Sequence, residues 1–158
     1  MKAQAGVVEH LNTILSVELA AINQVFVHAK LCKHWGYERL HHALRSRSLE
    51  TMKAADRLMG HLLYLDAVPH VHRMPVVSVG ENVPELFALD LKLERDLLSL
   101  LSEGVQHCAK VADFTTRHML EGWARQTDAR IEWIEVQLTT IAQLGLEPYL
   151  AEQIRNDG

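Results

Sequence analysis

The sequence predicts an all-α fold: four long helices in a bundle, an extended connection between the second and third, and a short fifth helix at the C-terminus. Three observations predict it. Apolar residues recur at helical spacing over four long stretches. Gly and Pro are scarce within them, and Pro69, Pro75 and Pro84 fall in one segment, "AVPHVHRMPVVSVGENVPE". That segment, about twenty residues, is long for a loop in a compact domain, and a crossover running the length of the bundle explains it. An up-down bundle with a loose middle loop is the rival.

The first helix is expected over about residues 4–34, with Val7, Leu11, Ile14, Leu15, Ile22 and Val25 as its apolar stripe. "HWGYE" turns the chain. The second spans about 37–64, with Leu40, Leu44, Leu58 and Leu62 inward and a second stripe, Leu49, Met52, Met59 and Leu63, beside them. The third spans about 82–111 with Phe87, Leu91, Leu98, Leu101 and Val105 inward. The fourth spans about 114–144 with Leu120, Trp123, Ile131, Ile134, Leu138 and Ile141, and Gly145 stops it. "PYLAEQIRN" forms the short fifth helix, with Pro148 in its first turn.

A chain of 158 residues suffices for one domain, 1–158, with a real core, and 48% hydrophobic with 23% charged residues argues against disorder. A net charge of −4 gives no basic field for nucleic acid. No apolar run approaches bilayer-spanning length, and "MKAQAGVVEHLNT" lacks the features of a secretory signal, so no membrane partner and a cytoplasmic location are expected. Cys32 and Cys108 lack metal-type spacing and are expected to be buried thiols. Of ten histidines, His41 and His42 sit at positions expected to be exposed, and the loop pair His70-x-His72 is read as solvated.

Two core positions carry carboxylates. Glu18 sits between Ile14, Leu15 and Ile22, and Glu94 between Leu91 and Leu98. An unpaired carboxylate at a bundle axis is costly, and two on different helices point to a shared polar centre rather than to glutamates snorkelling to the edge. Bundles with inward Glu on two helices usually place Glu-x-x-His on the other two, and the set holds two metal ions. Here those positions are Thr51 and Ala54 on the second helix and Thr127 and Arg130 on the fourth. A hydroxyl is a poor iron ligand, Ala is none, and a guanidinium does not release its proton. The expectation is substitution: Arg130 serves as counter-ion to Glu18 and Glu94, with one of the two carboxyls protonated or hydrated.

The chain resembles a bacterioferritin along its whole length, and hence the ferritin-like bundle. The resemblance is carried by "LNTILSVELAAINQVFVHAKLCKHWG", "MKAADR", "VGENVPELFALDLKLE", "IEWIEVQL" and "QIRNDG". It implies a hollow shell of 24 subunits around an iron mineral core, with haem b shared between two subunits. The family's di-iron ferroxidase ligands map to Glu18, Thr51, Ala54, Glu94, Thr127 and Arg130, of which only the two Glu match, so the resemblance implies a degenerate centre. The family's haem-ligating Met maps to Met52. Leu19, Ile22, Asn23, Phe26, Leu49 and Met59 resemble the haem-lining face, and Lys53 is placed to meet a propionate. A thioether is a soft ligand that favours ferrous haem. By spacing alone Met52 reads as interface packing.

The function expected from this resemblance is a haem-binding shell subunit that supports electron transfer for iron release and lacks its own ferroxidase site. The resemblance implies a homo- or hetero-oligomeric shell, the latter mixed with a ferroxidase-competent bacterioferritin subunit, and an iron–sulfur ferredoxin, docking near Glu81 and Glu85, as the electron donor. The alternative is an active homomeric ferroxidase with a centre rearranged around Glu50 and Asp128, although a one-residue shift turns a side chain by about 100° around the helix. A nucleic-acid-coating mini-ferritin and a haem-free structural subunit are further alternatives; the acidic balance opposes the first.

Overall fold

The computed structural model describes residues 2–71 and 75–156. Its elements are α1 (Val7–His34), α2 (Glu38–Tyr64), α3 (Val83–Lys110), α4 (Phe114–Leu144) and α5 (Leu146–Gln153). α1 packs on α2 and on α3, α3 packs on α4, and α5 folds back against α4 and α2. This is the ferritin-like four-helix bundle with a short C-terminal helix.

Helix ends follow local chemistry. Gly6, left-handed at φ 81°, starts α1 three residues later than the periodicity predicts. Asn82 caps α3, its side chain accepting from Glu85 N at 2.9 Å, and Asp113 caps α4 by accepting from Thr116 N at 3.0 Å. Gly145, at φ 87°, ends α4 as expected and also opens α5, which begins two residues before the predicted Pro148 start.

The crossover decides the topology. His70 N donates to Asn12 Oδ1, Ser78 N to Gln24 Oε1 and Gly80 N to His28 Nε2. The connection therefore travels along α1 from position 12 to position 28, roughly 24 Å of helix. It delivers α3 to the far end of the bundle, so that α2 and α3 run parallel. A loose middle loop makes no such ladder of anchors. Gly80 is required by close approach: a Cβ there would lie 2.5 Å from Leu86 N.

The core forms two clusters. Val7, Leu11, Ile14, Leu15, Leu58, Leu62, Leu97, Leu101 and Leu120 fill one half, and Val25, Leu40, Leu44, Phe87, Leu91, Ile131 and Ile134 the other. Cys32 and Cys108 are buried free thiols, as expected. Three expectations change. Leu98, Val105, Leu138 and Ile141 are only partly buried, at the bundle's edges. His41 is buried rather than exposed, because its Nδ1 lies 2.8 Å from Ala29 O and ties α2 to α1. α1 is itself long and apolar enough to cross a bilayer, contrary to the expectation that no run comes close, yet 61% of its most apolar stretch is buried within the bundle. His70 is exposed, and His72 lies outside the described residues.

Candidate functional site

Between the two core clusters lies a polar layer to which every long helix contributes. α1 supplies Glu18, α2 Thr51 with Ala54, α3 Glu94, and α4 Thr127 with Arg130, and all six are buried. Arg130 Nε donates to Glu94 Oε1 at 3.0 Å and Arg130 Nη2 to Thr127 Oγ1 at 3.1 Å. Thr127 Oγ1 donates in turn to Trp123 O at 2.8 Å, and Thr51 Oγ1 to Arg47 O at 3.0 Å. Each Thr hydroxyl proton thus returns to its own helix, four residues back.

The two carboxyls differ. The sequence reading sets Arg130 between both; the structure gives its hydrogen bond to Glu94 alone. Glu18 Oε2 is buried with no hydrogen-bond partner, and Glu94 Oε2 likewise lacks one. Burial pushes the Glu18 carboxyl up to about 8, the charge of Arg130 opposing and that of Glu94 reinforcing the shift. Burial also raises Glu94, against the charge and the hydrogen bond of Arg130. Burial thus favours the protonated form of Glu18 near neutral pH, while Glu94 is the carboxyl that accepts from the guanidinium. Among the described residues no group of three or more His, Cys, Asp or Glu converges as a metal-holding set. Glu50 and Asp128, one position from Thr51 and Thr127, are exposed.

A second feature lies on the outside of α1 and α2. Met52 is 50% exposed, Leu49 41% and Phe26 37%, with Asn23 exposed, Leu19 and Met59 half-buried and Ile22 buried beneath. The Arg45 guanidinium lies 5.7 Å from the centre of the Phe26 ring, so residues of both helices border this face. Lys53 lines the groove between α2 and α4 with Glu50, Ala54, Arg57 and Gln126, one helical step round from Met52.

Residues 8–144 match the model of the ferritin-like domain. A bacterial ferritin of Pseudomonas aeruginosa is 36% identical over 155 residues, spanning 98% of this chain and all of the relative. A bacterioferritin of Brucella melitensis is 32% identical, covering 94% of this chain and 92% of its own, and one of Mycobacterium leprae 34% identical, covering 96% of each. The chain belongs to the bacterioferritins, a family of iron-storage proteins.

In this bacterioferritin the polar layer extends beyond the residues that sequence reasoning picked out. Arg47, four residues before Thr51, stacks on Trp133 with its guanidinium carbon 4.0 Å from the ring centre, and its Nη1 lies 3.5 Å from Arg130 O. Burial lowers its pKa, and Arg130 adds to the effect while Glu94 and Glu50 oppose it. Asp90, one turn before Glu94, is buried and accepts from Gln24 Nε2 at 2.9 Å. His28 Nδ1 lies 2.8 Å from the same Asp90 oxygen, and because His28 Nε2 accepts from Gly80 N, the imidazole carries its proton on Nδ1 and donates it to Asp90. The signal was periodic: Gln24 and His28, Asp90 and Glu94, and Arg47 and Thr51 are each four residues apart, on one face of their helix.

Proposed function

We propose that this bacterioferritin is a haem-carrying subunit of a 24-subunit iron-storage shell and does not itself oxidise iron. The observation that carries the second half is the Arg130–Glu94 pair, with its Nε to Oε1 bond of 3.0 Å in the middle of the bundle. The donor set there does not suit two iron ions: two Thr hydroxyls bound to backbone carbonyls, an Ala, a guanidinium and a Glu18 carboxyl that favours its protonated form. The guanidinium supplies the positive charge that bound metal would otherwise bring to Glu94.

The residues on the outer face of α1 and α2 do suit haem. Met52 offers a thioether among Leu19, Phe26, Leu49 and Met59, a soft donor in an apolar, uncovered setting that a second subunit would close over. Haem b held there between two subunits would supply one-electron chemistry, favoured in its ferrous form, and Asn23 and Ile22 complete the set, whereas Lys53, expected at a propionate, lines the α2–α4 groove instead. In this reading electrons for iron release come from an iron–sulfur ferredoxin, the shell is assembled in the cytoplasm around a mineral core, and a ferroxidase-competent bacterioferritin subunit shares the shell.

The test is isolation of the native shell. A haem spectrum, a second bacterioferritin chain in the peptide map and slow oxygen uptake by the homomer given ferrous iron are expected. A colourless homomer that consumes oxygen rapidly would sink both halves of the proposal.

A further inference from the structure

The seam between α2 and α4 is the loosest of the bundle. It holds two adjoining cavities of about 350 and 360 Å³, which share Glu50 and Gln126 in their walls. Their charged lining is lopsided: Arg47, Lys53, Arg57 and Arg130 against Glu50. The chain as a whole carries −4, so this is a local inversion of charge and not a share of a basic surface.

The two arginines nearest the interior are fixed in place. Arg130 is tied by Nε to Glu94 and by Nη2 to Thr127, which leaves Nη1 without an acceptor among the described residues. Arg47 is clamped on Trp133 and, among the described residues, touches only one acceptor, Arg130 O, at the 3.5 Å limit of a hydrogen bond. Lys53 and Arg57, further along α2, enter no ion pair among the described residues and close the open end. Ala43, Ala54 and Ala129 keep side-chain bulk out of the space.

Preset guanidinium N–H groups lacking protein acceptors, beside two free cations and the amide of Gln126, match a small multivalent oxyanion, whose oxygens accept from several donors at once. We infer that the α2–α4 groove binds a tetrahedral oxyanion of the inorganic phosphate type. The cavities exceed the size of one such ion, so it binds with part of its water. Glu50, in the wall that both cavities share, is the one carboxylate facing these cations and offsets part of their charge when the groove is empty. The inference depends neither on haem at Met52 nor on the state of the Glu18 carboxyl.

Inorganic phosphate titrated calorimetrically into the native assembly, at constant ionic strength in chloride, tests it. Saturable binding of about one phosphate per subunit, displaced by sulfate, is expected. Arg57→Glu, and the pair Lys53→Gln with Arg57→Gln, should each weaken it by about tenfold or more. Arg95→Glu, which removes an exposed arginine paired with Glu135 elsewhere on the surface, should leave it unchanged. Lack of saturable binding, unchanged affinity in both groove variants, or an equal loss in Arg95→Glu overturns the inference. Because the groove substitutions fall on exposed side chains, circular dichroism and the size of the assembly separate lost binding from lost folding.

Discussion

Arg130 and Glu94 form an ion pair across α3 and α4, Nε to Oε1 at 3.0 Å, with side chains only 10% and 6% exposed. The pair occupies the polar layer to which the four long helices contribute, and Thr127 Oγ1 accepts a second bond from the same guanidinium. Removing the guanidinium strips the buried Glu94 carboxyl, beside Glu18, of its hydrogen bond and counter-charge. Arg130→Ala should therefore cost about 3–5 kcal/mol in chemical denaturation, and the paired change Arg130→Met with Glu94→Leu should recover most of it. A loss below about 1 kcal/mol for Arg130→Ala would show that the pair is not what neutralises the layer.

Glu18 makes stability depend on pH. Its folded-state pKa, about 8, lies above the ordinary 4.5, so the folded protein binds the extra proton between those values. The stabilising contribution is complete below pH 4.5 and is lost progressively as pH rises to 8. Glu18→Gln keeps the neutral shape and should flatten that slope, making the variant more stable than the parent at pH 8 and above by about 1 kcal/mol or more. Parallel urea titrations at pH 5, 7 and 9 measure it; identical slopes in the two proteins would refute the assignment.

If the missing ligands alone silence iron oxidation, restoring them should revive it. The fourfold variant Thr51→Glu, Ala54→His, Thr127→Glu and Arg130→His removes the guanidinium and surrounds Glu18 and Glu94 with ligands. Oxygen uptake on adding ferrous iron should rise by about tenfold or more over the parent homomer. An unchanged rate in a folded, assembled variant would place the defect elsewhere.

Met52 is half exposed, so its side chain has little part in the stability of the single subunit. Met52→Leu preserves volume and removes the sulfur. Haem retention should weaken by about tenfold or more, read from the Soret band after gel filtration. Unfolding free energy should stay within about 0.5 kcal/mol of the parent. Full haem retention in the variant would exclude Met52 as its ligand.

The crossover is pinned where Gly80 meets His28 and the start of α3. A methyl group there would press on Leu86 N at 2.5 Å, which is backbone and does not yield easily. Gly80→Ala should destabilise by about 1–3 kcal/mol and speed hydrogen exchange at Ser78 and Gly80 relative to the helices. Exchange unaffected at those amides would show that the segment moves without cost.

Much of this molecule was legible from periodicity. The four long helices, the inward Glu18 and Glu94, the replacement of both Glu-x-x-His positions and the outward set of Met52 follow from residue spacing, because a helix fixes the angle of each side chain about its own axis. Spacing says nothing about what stands opposite. Only the packed bundle decided that Arg130 bonds Glu94 and leaves Glu18 Oε2 without a hydrogen bond among the described residues, that Arg47 joins the layer by stacking on Trp133, and that Lys53 lines the α2–α4 groove. It also decided that His28, Asp90 and Gln24 anchor the crossover, and that His41 is buried. Partner choice depends on the rotation and axial offset of one helix against another. Those are set by the fit of the whole core, a non-local quantity that no single stretch of sequence carries.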